Sequence, residues 1–259
     1  MKEGLMNTSK RINLNADMGE SFGRYVLGND EALIPYVPTV HIACGYHAAD
    51  PGELLREVRL AKKHGAEIGA HVAYPDLMGF GRRRMELSED EVFEICVYPI
   101  GALLGFCRAE GVPLNHVKPH GHLYQTAVHD AATARGIVRA VKAVDPQLLL
   151  LMYGDIVAAE CEAAGVRMVH EGYVDQDYRP DSTIVVERIK KSRTPEFVAE
   201  ATLSILRNSG RKTVDGGWLP ITAQSICVHG DGPNVVELAK MVRKCVTDDG
   251  HRIVPLREL

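Results

Sequence analysis

Short apolar runs alternate with longer segments of helical periodicity along most of the chain. This alternation is typical of parallel strands joined by right-handed crossovers. In such a fold the C-terminal ends of all strands point to one face, where the connecting loops form a pocket. The pattern therefore predicts an α/β barrel or sheet. The predicted strands are residues 11–16, 39–43, 66–71, 115–118, 148–152, 166–169 and 225–229.

The first long helix has clear start and stop signals. Asp50 supplies an N-cap, Pro51 a first-turn proline and Glu53 an N3 carboxylate. Gly65 follows the last residue of the apolar face and is expected to end the helix.

A second helix is predicted to begin at Ser88, which forms a capping box with Glu91. Pro99 lies inside this segment and lacks the amide hydrogen that a helix requires. We therefore expect two shorter helices between Ser88 and Glu110.

Two further helices are predicted near the C-terminus. Thr194 and Pro195 start one that runs to about Gly210, and Pro233 starts the last one. The stretch 171–193 is polar and irregular, which indicates a long functional loop or hairpin.

Length and composition fit one enzyme-sized domain spanning residues 1–259. The chain has 259 residues, 46% of them hydrophobic, and α/β barrels of about 250 residues commonly form one domain. A formal charge of -4 with no block of like charge gives no nucleic-acid footprint, so we expect small molecules and proteins as partners.

We expect a soluble cytoplasmic protein with reduced thiols. The longest uncharged run, Ile95 to Cys107, has 13 residues, whereas a membrane-spanning helix needs about 20. The first residues contain no apolar stretch of the kind found in a signal peptide. The six cysteines are widely spread and never spaced as C-x-x-C.

The first predicted strand carries polar side chains on one face. Asn13, Asn15 and Asp17 alternate with apolar residues, and Glu20 follows directly. An inward polar face is costly unless its groups are satisfied, so this strand is either a surface edge strand or part of a pocket. We favour the pocket, in which Asp17 and Glu20 serve as acid, base or ligands.

Two histidines come at the ends of neighbouring predicted strands. His47 lies on a short strand-to-helix loop, and His71 closes the next strand. With Asp17 they would supply a carboxylate and two imidazoles, a plausible set for a divalent metal. The chain has no H-x-x-x-H or H-E-x-x-H motif, so a structural role for these histidines stays open.

Three more segments carry chemistry at predicted strand ends. Arg82 and Arg83 lie in a glycine-punctuated loop that suits an anionic group, whereas we expect Arg84 to be solvated. Lys118 would stabilise an oxyanion or phosphoryl oxygen, and His120 would move protons near neutral pH. The last strand ends in HGDGP, which leads either to an anion site at a helix N-terminus or only to a turn.

Several familiar catalytic motifs are missing from the sequence. The chain has neither a three-glycine dinucleotide loop nor a phosphate loop, so any ATP must be bound in another way or by another chain. It has no G-x-S-x-G elbow, and Cys44 near His47 is only a weak candidate nucleophile.

Six segments between Asn13 and about Pro233 form a specific combined pattern: LNADMGESFG, GNDEALIPYV, HIACGYHAADP, GAHVAYPDLMGFGRRRM, HVKPHGHLY and CVHGDGP. In this order they resemble the LamB/YcsF family of 5-oxoprolinase A subunits. The resemblance implies a seven-stranded TIM-like barrel of the glycoside hydrolase/deacetylase type. It also implies ATP-dependent hydrolysis of the lactam 5-oxoproline to L-glutamate, together with partner subunits B and C.

The resemblance assigns roles to the candidate residues. Asp17 or Glu20 would position water, and Lys118 would meet developing negative charge. His47, His71 and His120 would handle protons or a divalent metal. The candidate substrate-binding residues are Asn15, Tyr74, Asp76, Arg82, Arg83, Tyr124, Asp175 and His229. A homo-oligomer is a further expectation.

Some positions depart from the family pattern. They are Asn13, Val72, Pro99, His122, Gln125, Gln176 and the segment 181–188. We expect these changes to cluster near the pocket, which would fit a paralogue that acts on another lactam, cyclic imide or cyclic urea. Two more hypotheses stay open: a metal-dependent deacetylase and a non-catalytic subunit that binds a lactam.

Overall fold

Seven parallel strands close into a barrel in the computed structural model, which describes residues 10–187 and 189–259. Each strand pairs with the next, and the last pairs again with the first. The predicted barrel is therefore confirmed, and each barrel strand lies within a few residues of its predicted position. The barrel strands are β1 (Arg11–Met18), β2 (Thr39–Ala43), β3 (Glu67–Val72), β4 (Leu114–Pro119), β5 (Leu149–Met152), β6 (Met168–Tyr173) and β9 (Ser225–His229).

Helices connect the strands outside the barrel, as the alternation predicts. A two-stranded antiparallel hairpin, β7 (Gly210–Lys212) and β8 (Trp218–Pro220), lies outside the barrel, and β10 (Arg252–Ile253) adds to the start of β1. The helices are α1 (Asp30–Leu33), α2 (Pro51–His64), α3 (Glu89–Glu110), α4 (Gly121–Ala127), α5 (Ala131–Val144), α6 (Asp155–Ala164), α7 (Pro195–Asn208) and α8 (Val235–Asp248).

The predicted helix caps form. The Asp50 side chain accepts hydrogen bonds from the amides of Gly52 and Glu53, and Gly65 ends α2 at a φ of 67°. Ser88 and Glu91 make both hydrogen bonds of the capping box. The start of α7 at Pro195 is also confirmed, while α8 begins two residues after Pro233.

The predicted division of the segment after Ser88 is wrong, because α3 runs without a break through Pro99. A helical proline removes one hydrogen bond and costs about 3 kcal/mol. Here Pro99 is buried, and α3 packs against α5 and β3 along its length. The burial of its apolar face outweighs the lost hydrogen bond.

By length and composition alone, α3 is the one helix in the described part of the chain that could span a membrane. In this structure it belongs to the helix layer around the barrel.

The edge-strand interpretation of β1 is wrong. β1 pairs with β2 on one side and with β9 on the other, and Asn13, Asn15 and Asp17 are all buried. Each of the three side chains has a hydrogen-bond partner inside the barrel. They lie at successive levels along the barrel axis, and Asp17 lies nearest the C-terminal end.

A buried carboxylate pair fixes the loop that follows β1. Asp30 accepts a hydrogen bond from the amide of Gly19 at 3.0 Å, and Glu57 lies beside it on α2. Burial and the charge of Asp30 raise the pKa of Glu57 to about 8, and burial raises the pKa of Asp30 to about 6. The pair therefore shares a proton near neutral pH.

Replacing Glu57 with glutamine is expected to stabilise the protein at alkaline pH. The folded chain keeps a proton on Glu57 that an unfolded chain loses above about pH 4.3. Wild-type stability relative to the variant is therefore greatest below that pH and falls as pH rises toward 8. Unfolding in urea should show a gain on the order of 2 kcal/mol at pH 8.5 that shrinks toward pH 5.

The matched control is Glu94→Gln, which removes a carboxylate from a position of α3 that is not buried. A Glu57→Gln effect of the same size at both pH values would show that the proton does not reside on this pair.

Candidate active site

Three candidate catalytic residues and His229, a candidate substrate-binding residue, meet at the C-terminal end of the barrel. Asp17 lies near the end of β1 and His71 near the end of β3. Lys118 lies near the end of β4, and His229 ends β9. Each of these side chains is at least nine-tenths buried. They share one pocket because the C-terminal ends of parallel strands meet at one face.

Lys118 lies at the centre of this pocket. Its Nζ donates to Asp17 Oδ1 at 2.7 Å and to Cys227 Sγ at 3.0 Å, and Glu171 Oε1 lies 3.2 Å away. The centre of the Tyr173 ring lies 5.3 Å from the same nitrogen. One ammonium group is thus held between two carboxylates and a thiol.

The pKa values of Lys118 and Asp17 shift in opposite directions. Burial lowers the pKa of Lys118, but the combined effects of Asp17, Cys227 and Glu171 outweigh it and hold the pKa well above the usual value. Burial raises the pKa of Asp17, but His71 and Lys118 outweigh it and hold the pKa well below the usual value. Both groups are therefore charged at neutral pH.

A second pair orients His229 toward the pocket. The Nδ1 atom of His229 donates to Asp175 Oδ1 at 2.9 Å, and its backbone amide donates to Asp175 Oδ2 at 3.0 Å. Nε2 therefore carries the lone pair, accepts from Gln176 Nε2 at 3.0 Å and lies 3.8 Å from Asp17 Oδ2. A histidine held in this tautomer can accept a proton at Nε2.

Three histidines and Glu20 form a cluster beside this pair. His47 Nε2 lies 3.1 Å from Glu20 Oε1, and His120 Nδ1 lies 3.0 Å from His71 Nε2. The rings of His47 and His120 stack with centroids 3.9 Å apart. Burial lowers the pKa of His47 and His120 well below the usual value, whereas burial raises the pKa of Glu20.

The pocket mouth is closed by ion pairs. Arg82 donates to Asp231 Oδ2 at 2.6 Å and to the carbonyl of Glu187 at 2.7 Å, while Lys190 Nζ lies 3.3 Å from Asp231 Oδ1. The cavity behind them has a volume of about 20 Å³. That is room for about one water molecule.

Of the other predicted substrate-binding residues, Tyr124 lines this cavity and Asp175 holds His229. Four other predicted substrate-binding residues do not line the cavity, because their side chains have partners elsewhere: Asn15, Tyr74, Asp76 and Arg83. Asn15 lies deeper in the barrel, where it binds Ser225 and His41, and Tyr74 is buried beside Thr126. Asp76 pairs with Arg83 in the loop after β3.

Cys44 is unsuited to nucleophilic attack. Its thiol donates to the carbonyl of Ile42 at 2.9 Å, and burial raises its pKa. All six cysteines have free, buried side chains in the structure.

The predicted site residues leave out several residues of the pocket, among them Glu171, Cys227 and Gln176. Glu171 and Cys227 contact Lys118, and Gln176 contacts His229. Cys227 could have been found from strand alternation, since it lies two residues before His229. Glu171 was missed because the predicted strand ended at residue 169, whereas β6 continues to Tyr173.

The departures from the family pattern cluster at the pocket only in part. Asn13 lies at the opposite end of the barrel, where it donates to Thr39 and to the carbonyl of Val254, and Pro99 lies in α3. Gln125, Gln176 and part of the segment 181–188 line the cavity.

The fold and the pocket together define an α/β-barrel protein with charged residues converging at the C-terminal ends of its strands. The chain belongs to the LamB/YcsF family, whose model matches residues 12–259.

Relatives match almost the whole chain. The A subunit of 5-oxoprolinase from Pyrococcus abyssi is 42% identical over 252 residues, which cover 96% of this chain and 98% of the relative. The A subunit of 5-oxoprolinase from Thermus thermophilus is 42% identical over 243 residues, which cover 93% of this chain and 97% of the relative.

Solved structures agree with the fold. A lactam utilization protein from Thermus thermophilus has a TM-score of 0.84 at 40% identity, and the match covers 94% of this chain and 98% of that protein. A truncated 3-deoxy-D-arabino-heptulosonate 7-phosphate synthase from Thermotoga maritima, at 10% identity and a TM-score of 0.50, shares the barrel alone over 94% of this chain and 90% of its own.

Proposed function

We propose that this chain is the A subunit of an ATP-dependent 5-oxoprolinase. It hydrolyses the lactam bond of 5-oxoproline to give L-glutamate, with ATP handled together with partner subunits B and C. Family membership and the names of relatives that match nearly the whole chain support this assignment. The observation that carries it is the Lys118–Asp17 pair beside the His229–Asp175 pair in one buried pocket.

The substrate is a small ring that carries a carboxylate. Arg82 and Lys190 at the mouth supply the cations that would meet this carboxylate once it replaces Asp231, which both of them contact; Lys190 also lies 3.5 Å from Asp175 Oδ2. Tyr124 and Tyr173 supply apolar surface for the ring. A cavity of about 20 Å³ does not hold the ring, so side chains that line it must move for the substrate to enter.

Hydrolysis follows from the charges of the pocket. The attacking water first displaces the Gln176 side chain from its hydrogen bond to His229 Nε2. As the water then attacks the carbonyl carbon, His229 Nε2 takes one of its protons. The Lys118 ammonium stabilises the negative charge that develops on the carbonyl oxygen. His229 then returns the proton to the ring nitrogen as the C–N bond breaks, which leaves a carboxylic acid that ionises and an amine that takes up a proton.

Partner subunits would supply the activation that an unreactive amide needs. The sequence has no nucleotide-binding motif of its own, so the partners would use ATP to activate the lactam oxygen. This chain would then add water to the activated carbon, break the C–N bond and release the transferred phosphoryl group as inorganic phosphate, so that ATP is converted to ADP and phosphate overall. A cytoplasmic location is part of the same proposal.

The test is glutamate release from 5-oxoproline, with and without ATP, by this chain alone and with its two partner subunits. Activity only in the ATP-supplied complex would support the assignment. A fully assembled complex that releases no glutamate would reject it.

A second candidate is a related enzyme that opens another lactam or a cyclic imide. Gln176 and Gln125, which depart from the family pattern, both line the cavity and favour this candidate. The same assay with a panel of five- and six-membered lactams and imides separates the two, because the true substrate should be turned over fastest at low concentration.

A further inference from the structure

The histidine cluster contains a contact that two neutral rings cannot make. His71 Nδ1 lies 3.0 Å from the carbonyl oxygen of Lys118, and His120 Nε2 lies 2.9 Å from the carbonyl oxygen of Phe80. Carbonyl oxygens only accept, so both of these ring nitrogens carry hydrogen. The remaining nitrogens, His71 Nε2 and His120 Nδ1, then point lone pairs at each other across 3.0 Å.

A positive charge between the two nitrogens removes this repulsion. Two further potential ligand atoms, Glu20 Oε1 and His47 Nε2, lie near the same point. Glu20 Oε1 lies 3.5 Å from His120 Nδ1 and 3.9 Å from His71 Nε2. His47 Nε2 lies 3.1 Å from the same oxygen. A single proton bridges only two atoms, whereas a metal ion satisfies all four.

We propose that Glu20, His47, His71 and His120 bind a divalent transition-metal ion, for which Zn²⁺ is best suited. All four ligand atoms lie within 4.8 Å of one another. At Zn²⁺–ligand distances of about 2.1 Å, tetrahedral ligand atoms lie about 3.4 Å apart. Four of the six separations between these atoms are 3.0 to 3.9 Å, close to that spacing.

The surroundings of the ligands also fit a metal site. Metal-binding histidines usually donate their other ring nitrogen to a carbonyl or a carboxylate, which fixes the tautomer. His71 and His120 both donate to backbone carbonyls. His47 is oriented by stacking on His120.

The site differs from the set predicted in the sequence. His47 and His71 remain, but Glu20 and His120 replace Asp17. Asp17 Oδ1 binds the Lys118 ammonium at 2.7 Å, and Asp17 Oδ2 lies 3.4 Å from His71 Nε2, so Asp17 borders the site without belonging to the group of four. The same ammonium contacts Cys227, so the nearby group of Asp17, Cys227 and His229 already holds a cation.

The test is metal content, which needs neither substrate nor partner subunits and so stands apart from the proposed lactam hydrolysis. The full-length chain is stripped with a chelator, incubated with Zn²⁺ or Co²⁺, freed of unbound metal and analysed by mass spectrometry. We expect one ion per chain, a visible Co²⁺ spectrum of four-coordinate type, and a rise in Tm on Zn²⁺ addition.

His47→Ala and His120→Ala are expected to lower Zn²⁺ affinity by on the order of 100-fold or more, because each removes a direct ligand. His229→Gln and His122→Gln are the matched controls and should keep one ion per chain. The first of these also tests the competing group around Asp17.

Circular dichroism shows whether each variant is folded, and Glu20→Gln gives a second test that alters only one ligand atom. A wild-type chain that binds no ion would overturn the proposal in favour of a proton held between His71 and His120. Full metal content in both folded alanine variants would overturn it as well.

Discussion

Replacing Lys118 with methionine is expected to lower turnover of the reconstituted complex by at least about 100-fold, the usual cost of removing one group that stabilises an oxyanion. Methionine has a similar length and keeps the apolar stem, so the change removes mainly the ammonium group. That group is buried, contacts Asp17 at 2.7 Å and belongs to a side chain that lines the cavity. The measurement is kcat for glutamate release.

The control for this experiment separates chemistry from folding. Breaking a buried ion pair can cost about 3 to 5 kcal/mol of stability, because one charge is left unpaired. A double variant, Lys118→Met with Asp17→Asn, removes both charges of the pair. Lys62→Met removes a lysine that binds the carbonyl of Glu110 on the outside of the barrel, and it should leave turnover unchanged.

A folded Lys118→Met protein with more than about a tenth of wild-type turnover would show that the ammonium does not meet the reacting oxygen. In that case the pair with Asp17 is structural.

Much of the barrel was predictable because strand periodicity and helix caps are local properties. Asp50, Ser88 and Thr194 each sufficed to predict where a helix begins, because each side chain accepts a hydrogen bond from an amide of the helix that follows it. The break predicted at Pro99 is wrong because the sequence shows the local cost of a proline in a helix but does not show that Pro99 is buried against the rest of the fold.

The position of a residue along the barrel axis was harder to predict. Alternation along β1 correctly placed Asn13, Asn15 and Asp17 on the inside, since successive side chains point to opposite faces. It did not show that only Asp17 reaches the pocket. Asn15 instead accepts a hydrogen bond from His41, and His41 contacts His116, in a polar layer beneath it.

Pairings between distant segments were not visible in the sequence at all. The contact of His229 with Asp175 joins residues 54 positions apart, and the contact of Lys118 with Asp17 joins residues 101 apart. Each requires the closed barrel, which brings the ends of β1, β4 and β9 together. Candidate residues could therefore be identified from the sequence, whereas the pairs that they form depend on the closed barrel.

Replacing Asp175 with asparagine is expected to lower kcat by about 100-fold or more while KM changes much less. Asp175 accepts from His229 Nδ1, so the carboxylate selects the tautomer whose Nε2 can accept a proton. An asparagine can instead donate to Nδ1 and place the hydrogen on Nε2. The variant keeps its shape but loses the proton acceptor.

Asp177→Asn is the matched control. It removes a carboxylate of the same loop, and this carboxylate pairs with Arg193 outside the cavity. It should retain wild-type kcat. The split between kcat and KM distinguishes a positioning role from a merely structural one, since a displaced loop would weaken substrate binding and raise KM. If Asp175→Asn raises KM and leaves kcat intact, Asp175 supports the substrate pocket and His229 is not the base.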